Sequence, residues 1–253
     1  MKNTIIIGYG IVGHNLYEEI AVLNPDIYDI KFNIRYTRKA YYDFAFICVN
    51  TPYNDQSVCD ISAVEKAIAE NNAGIYIIKS TILPELTQQL IINFPTKHLV
   101  FSPEYYGATQ HCNNFNFNFT ILGGEKEDCL KVQQLLQNVY DGRHTFHITS
   151  PKVAMLTKYM ENSFLATKVL FCIQFYELAQ KLGISYEEVR ELFILDPRVN
   201  PSHTFVYNDH PYFSSHCLDK DVPAIAESMD ADLLKDVIKY NNKMKSQTKE
   251  LGK

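Results

Sequence analysis

The sequence has no surplus of positive charge: 24 lysines and arginines stand against 29 aspartates and glutamates, a formal net charge of −5. Without a basic field, nucleic acid is excluded as a partner. Five lysines do crowd the last residues, Lys239, Lys243, Lys245, Lys249 and Lys253. Such residues suit the dipole at a helix C-terminus and read as a solvated helix end. Long hydrophobic runs are missing as well. A membrane span takes about 18 or more uncharged apolar residues, whereas the most apolar stretch, 164–179, contains Lys168, Gln174 and Glu177. The apolar run at the N-terminus is broken by Gly8 and Gly10 and is too short for a secretory signal. The expectation is a soluble, cytoplasmic protein with no membrane partner. Six cysteines, Cys48, Cys59, Cys112, Cys129, Cys172 and Cys217, show no paired spacing, so neither a disulfide framework nor a zinc site is expected. The histidines, His144 and His147 included, lack metal-ligand spacing, and no metal is expected.

What is present is a chain of 253 residues, 46% apolar and 21% charged, long enough for two modest domains with real cores. Over the first 148 residues short β-like apolar runs alternate with helical patterns, which predicts a parallel sheet covered on both faces by helices. The strands are expected at 4–7, 27–28, 44–49, 74–78, 99–101 and 119–122. Helices are expected at 11–23, at 61–70 behind a capping Asp60, and at 126–138. Beyond Ser150 the pattern changes to one long run of period 3.6 from Val153 to about Leu182, closed by Gly183. Shorter helices follow at 186–193 and 232–245. The predicted fold is therefore an α/β, Rossmann-like doubly wound domain over residues 1–148, followed by a helical domain over 149–253 built on one long central helix.

Directly after Ile5-Ile6-Ile7 stands the turn Gly8-Tyr9-Gly10-Ile11-Val12-Gly13. In a dinucleotide fingerprint the first glycine makes the tight bend, the second admits a pyrophosphate, and the third lets the helix pack on the strand. The helix N-terminus then faces the phosphates. Asp29, about 20 residues on at the end of a second strand, is placed to accept from the adenosine ribose hydroxyls. Its charge favours NAD over NADP, with Arg35 and Arg38 close behind it in sequence. The loops Val49-Asn50-Thr51-Pro52-Tyr53 and Ser80-Thr81-Ile82 follow the third and fourth principal strands, where the switch-point rule puts the cofactor.

Far downstream, the run Phe213-Ser214-Ser215-His216-Cys217-Leu218-Asp219-Lys220-Asp221 places a cation three residues and a carboxylate four residues after a thiol, the surroundings of a nucleophile. Lys158 and Asn162, four apart on the long helix, project from one face and can point at one oxygen. His216 beside the thiol could raise its thiolate fraction, but neighbours in an extended loop point apart.

Val49-Asn50-Thr51-Pro52, Lys79-Ser80-Thr81, Ser102-Pro103-Glu104, Lys158 with Asn162, Asp196-Pro197-Arg198 and the run from Cys217 to Asp221 occur in the order seen in the UDP-glucose/GDP-mannose dehydrogenase family, which the chain resembles over nearly its whole length. The resemblance implies a four-electron oxidation of the C6 alcohol of a nucleotide sugar, UDP-glucose foremost, to the carboxylate, with NAD as cofactor. It implies that Cys217 is the nucleophile of a thiohemiacetal and thioester, and that Lys158 and Asn162 stabilise the oxyanion. Asp221 would act as base through a water, with Glu104 and Thr81 positioning that water and the thioester. Lys220 would favour the thiolate and help hold the cofactor, together with the glycine turn, Asp29, Val49 to Pro52, Ser80 and Thr81. Glu104, Lys158, Asn162, Arg198 and Phe213 would touch the substrate, Arg198 across the interface of a homodimer formed through the long helix.

The sequence departs from the family in places. Ser214, Ser215 and His216 replace glycines before the cysteine, Asp219 replaces a proline, Met155 a glutamate and Glu85 a glycine, and the segment 30–42 is shortened. The family's third, C-terminal nucleotide-binding domain would begin where this sequence stops, so the resemblance is to a short form. Two other readings remain open: a non-catalytic NAD-binding regulatory subunit, and a two-electron β-hydroxyacid dehydrogenase, which also sets a lysine and an asparagine on one helix and for which Cys217 would be dispensable.

Overall fold

The computed structural model describes residues 3–31, 34–35, 40–53, 59–106 and 117–251. Arg38, Cys112 and Lys253 lie outside the described residues, as do the side chains of Arg35 and Lys249. Contacts divide the described chain into two compact units, one reaching to Tyr106 and from Phe117 to Lys158, the other running from Tyr159 onward. The division falls within the long helix.

The first unit is an eight-stranded sheet of β1 (Thr4–Ile7), β2 (Asp26–Asp29), β3 (Ile34–Arg35), β4 (Tyr42–Ile47), β5 (Ala73–Ile78), β6 (His98–Phe101), β7 (Phe119–Gly124) and β8 (Thr145–Thr149), in the order β3-β2-β1-β4-β5-β6-β7-β8. Pairing is parallel except for β2 with β3 and β6 with β7. The doubly wound, mostly parallel sheet is the expected one, with two antiparallel pairs: the short β3 turns back against β2, and β7 runs against β6. Its helices are α1 (Ile11–Glu19), α2 (Ser62–Glu70), α3 (Pro84–Asn93) and α4 (Lys126–Leu136).

The central strands are buried on both faces, which is why they read as unbroken apolar runs. Ile6, Phe44, Phe46, Ile75, Ile77, Val100 and Leu122 form one apolar cluster with Leu16 of α1, Ile20 just after it, and Val132, Leu135 and Leu136 of α4. Residues of the other parity, such as Ile5, Ala45, Ile47, Tyr76 and Ile78, are buried too. Each large side chain so buried contributes about 1.5–3 kcal/mol.

Several local expectations need correction. Helix α1 stops at Glu19 and gives way to a 3-10 turn, Ala21–Leu23. Ile61 occupies the N-cap of α2, while Asp60 accepts from the Ser62 N–H over 2.8 Å. The pattern did not reveal α3, whose first position holds a proline, a residue tolerated there because that N–H has no helical partner. Strand β8, short and largely exposed at the sheet edge, was not among the expected strands.

The second unit carries α5 (Pro151–Leu182) from Tyr159 onward, α6 (Tyr186–Phe193), α7 (Leu218–Ser228) and α8 (Asp232–Leu251). Gly183, with φ of +69°, ends α5 in the left-handed region. Ala166, Leu170 and Ile173 of α5 cluster with Phe213, Leu218, Val222, Val237 and Met244. No helix was expected at α7, which runs through Pro223. Among the described residues no helix is long and apolar enough to cross a membrane.

Candidate active site

The glycine turn is built by steric necessity at two of its three glycines. Gly8 has φ of +93°, and a Cβ there would lie 2.7 Å from the Cys48 carbonyl oxygen. A Cβ on Gly13 would come within 1.9 Å of the Gly8 carbonyl oxygen. At Gly10 a Cβ would meet nothing within 4 Å. That position is open on its outer side, and Gly10 is also the N-cap of α1, whose first turn carries no acidic residue. The first amides of α1 therefore face an uncluttered turn at the positive end of the helix, an arrangement that fits a pyrophosphate. Asp29 fixes the turn as well as closing β2: its Oδ2 accepts from the Tyr9 N–H over 2.6 Å and its Oδ1 from the Lys31 N–H over 2.7 Å. Val12 packs against the core, whereas Ile11 is exposed.

The strand order reverses at β1, with β2 on one side and β4 on the other, so the loops after β1 and β4 diverge at this point. Two hydroxyls tie the loops after β4 and β5 together. Ser80 Oγ donates to the Val49 carbonyl over 2.7 Å, and Thr51 Oγ1 to the Thr81 carbonyl over 2.7 Å. Thr51 and Ser80 are buried, so their side chains shape the loops, leaving Asn50 and Pro52 on the exposed side. Burial pushes the neighbouring Cys48 thiol up to about 12, with Lys79 opposing and the Glu104 carboxylate adding to the shift. That thiol stays protonated.

Glu104 is buried after β6 and its Oε2 accepts from the Tyr106 N–H over 2.7 Å. Lys158, only 5% exposed, places Nζ 4.6 Å from the centre of the Tyr105 ring, a cation–π contact beside the same loop. Sequence reasoning missed both Tyr105 and the carboxylate that grips its neighbour: the hydroxyls of Tyr106 and Tyr140 donate to Glu19, the latter over 2.5 Å. Burial and the Glu19 charge raise both phenols above their ordinary range.

In the second unit Cys217 is the half-buried N-cap of α7, already helical at φ −77° and ψ −51°. The extended loop expected around it is thus replaced by the first turn of a helix. Asp221, one turn on, donates its N–H to the Cys217 carbonyl over 2.8 Å. Asp221 is 1% exposed, and its carboxylate accepts from Asn162 Nδ2 over 2.7 Å and lies 2.6 Å from Lys220 Nζ. Asn162 is itself 4% exposed. Cys217, Lys220, Asp221 and Asn162 are therefore gathered at one helix end. Two other candidates are placed elsewhere within this unit. The Phe213 ring is a core residue. Arg198, with its side chain 87% exposed, chelates Asp196, Nε lying 2.9 Å from Oδ1. Lys245, read as part of a solvated tail, instead pairs with Asp219 over 2.7 Å.

The model for the NAD binding domain of the UDP-glucose/GDP-mannose dehydrogenase family matches residues 27–143, and the model for its central domain matches 152–243. A UDP-glucose 6-dehydrogenase of Rickettsia prowazekii is 27% identical over 216 residues, covering 79% of this chain and 49% of that protein. A UDP-N-acetyl-D-mannosamine dehydrogenase of Methanocaldococcus jannaschii is 26% identical over 216 residues, covering 80% and 49%. The chain spans about half the length of these curated relatives. Among solved structures, a UDP-glucose dehydrogenase from Pyrobaculum islandicum superposes with a TM-score of 0.76 at 20% identity, over 96% of this chain and 68% of that one. A 3-hydroxyisobutyrate dehydrogenase from Mycobacterium tuberculosis shares the fold at TM-score 0.69 and 14% identity, over 97% and 94%. With NAD as its cofactor, the chain belongs to the UDP-glucose/GDP-mannose dehydrogenase family.

Proposed function

We propose that the protein oxidises the C6 alcohol of a nucleotide sugar, UDP-glucose or a close analogue, to the uronate, using two NAD and one water. The observation that carries this reading is the set at the start of α7: a half-buried thiol at the helix N-cap with a buried carboxylate one turn on, bonded to Asn162. NAD, when bound, accepts one hydride in each of the two oxidations. The glycine turn and Asp29 would hold its pyrophosphate and ribose, and the loops 49–52 and 80–81 would help hold it.

The first oxidation yields an aldehyde and releases a proton. The Cys217 thiolate, favoured at a helix N-terminus, then adds to the aldehyde carbon, forming a C–S bond and a hemithioacetal oxygen. Lys158 and Asn162 donate to that oxygen while it carries charge. The second oxidation leaves a thioester. A water deprotonated through Asp221, and positioned with Glu104 and Thr81, attacks its carbonyl, and the C–S bond breaks to release the carboxylate and the thiolate. Lys220 balances the Asp221 charge and would help hold the cofactor.

The working unit in this reading is a cytoplasmic homodimer supplying a precursor for polysaccharide synthesis, with a nucleotide domain at 1–148 and a dimerising domain at 149–253. In support, α5 carries an exposed stripe of Met160, Phe164, Phe171, Phe175, Leu178 and Leu182, continued by Leu192 and Phe193 of α6. Arg198, exposed and held at a fixed angle by Asp196, would reach the partner's substrate, and Phe213 would back the substrate from the core. A two-electron β-hydroxyacid oxidation is the second reading, favoured by the near-complete coverage of the 3-hydroxyisobutyrate dehydrogenase fold.

The deciding experiment measures NADH formed per substrate consumed, over UDP-glucose, UDP-N-acetyl sugars, GDP-mannose and simple hydroxyacids, with wild type and Cys217→Ala. Two NADH per sugar nucleotide, lost in Cys217→Ala, is the expected result. One NADH per hydroxyacid, unaffected by Cys217→Ala, would sink the proposal and select the second reading.

A further inference from the structure

Helix α8 grips the chain on both sides of Cys217. The buried Asn241 makes a two-way bridge to the main chain of Phe213, whose N–H donates to Oδ1 over 2.9 Å while Nδ2 donates to the Phe213 carbonyl over 3.1 Å. One turn further along α8, Lys245 Nζ meets Asp219 Oδ1 at 2.7 Å and stands 5.8 Å and 5.7 Å from the ring centres of Tyr212 and Phe213. Residues four apart share a helix face, so one stripe of α8 holds the backbone four residues before the thiol and a carboxylate two residues after it.

Between those points the chain is closed locally. Ser215 Oγ accepts from the Leu218 N–H over 3.1 Å, and the Ser215 carbonyl accepts from the Asp219 N–H over 3.0 Å. The stripe is itself anchored, since Val237 and Met244 of α8 lie in the apolar cluster that contains Phe213, Leu218 and Val222. A loop tied at one end can pivot about that end. Tied at both, it presents its thiol in one place, as a covalent mechanism requires.

We infer that Asn241 and Lys245 are positioning residues for Cys217, acting through Phe213 and Asp219 to hold the thiol on the first turn of α7, one turn from the Asp221 carboxylate. The inference deepens the proposed reaction and rests on Cys217 being its nucleophile. Neither residue touches the reacting atoms. The brace has a neutral half, buried, and an ionic half, partly exposed, and only the second responds to salt.

The test follows alkylation of Cys217 by iodoacetamide in the intact protein, resolved by site with mass spectrometry, from about pH 6 to about pH 10. Lys245→Met is expected to slow Cys217 alkylation near neutral pH about threefold and to move the midpoint of its pH–rate profile upward, with Lys245→Arg restoring the wild-type profile. Asn241→Ser is expected to slow it by about tenfold. Wild type in about 1 M salt should approach Lys245→Met. Should Asn241→Ser fail to fold, Lys245→Met and its arginine rescue decide alone. Wild-type profiles in Lys245→Met, with or without a lowered melting temperature, would overturn the inference. Shifted profiles in a protein that turns over no sugar nucleotide would support the brace and count against the reaction only.

Discussion

Asn162 donates from Nδ2 to Oδ2 of Asp221 over 2.7 Å, joining α5 to the first turn of α7 across 59 residues of sequence. Both side chains are buried, and Lys220 supplies the countercharge at the other carboxylate oxygen. A buried carboxylate held this way is structural, and in the proposed reaction it is chemical as well, which makes its substitutions informative.

Replacing Asp221 by alanine leaves the Asn162 amide and the Lys220 ammonium without their acid, at a cost of about 3–5 kcal/mol. Asp221→Asn keeps the shape and one acceptor, so the loss should be smaller, about 1–2 kcal/mol. Chemical denaturation ranks the two, and equal losses would show that the charge adds nothing to the fold.

Gly8 and Gly10 should separate folding from cofactor binding. Gly8→Ala forces a Cβ to 2.7 Å from the Cys48 carbonyl oxygen at positive φ, and about 1–3 kcal/mol of stability should be lost. Gly10→Ala has room, so its melting temperature should stay near wild type while NAD affinity, read by fluorescence titration, falls. A Gly10→Ala protein that binds NAD normally would move the pyrophosphate away from this turn.

Stability should decline at high pH. Burial raises the Cys48 thiol from 9.0 to about 12 and the Cys129 thiol to about 11. An acid whose folded value is raised stabilises the fold in its protonated form, so the contribution is full below about 9 and is lost as pH climbs toward 12. Denaturation midpoints compared at about pH 8 and about pH 10 should fall, and Cys48→Ala should show a shallower decline even if it is less stable at the lower pH. An equally steep decline in Cys48→Ala would assign the effect to other groups.

Glu19 receives the hydroxyls of Tyr106 and Tyr140, and Tyr106 in turn donates its N–H to Glu104. Glu19→Ala should cost about 1–3 kcal/mol. If the grip orders the Glu104 loop, Tyr106→Phe should lower turnover more than it lowers the melting temperature. Parallel losses would make the tyrosine a packing residue only.

By itself the sequence determined what local chemistry dictates. Ile5-Ile6-Ile7 and the apolar run at 73–78 read as buried parallel strands because both faces of such a sheet are covered. The glycine turn was legible because only glycine fits the positive φ of Gly8 and the 1.9 Å approach at Gly13. Tyr186–Phe193 was read to the residue because a serine cap and a closing 3.6 period bound it. Strand β8, short and largely exposed, and the proline-bearing helices α3 and α7 were not among the expected elements. The tertiary structure alone decided which polar groups meet: Thr51 with Thr81, Asn162 with Asp221, Asn241 with Phe213, Lys245 with Asp219, and Glu19 with two tyrosines. These partners are 26 to 121 residues apart. Periodicity carries information over a few turns or one strand, whereas such pairings are set by how whole elements stack to bury their apolar faces, and no short window of sequence contains that.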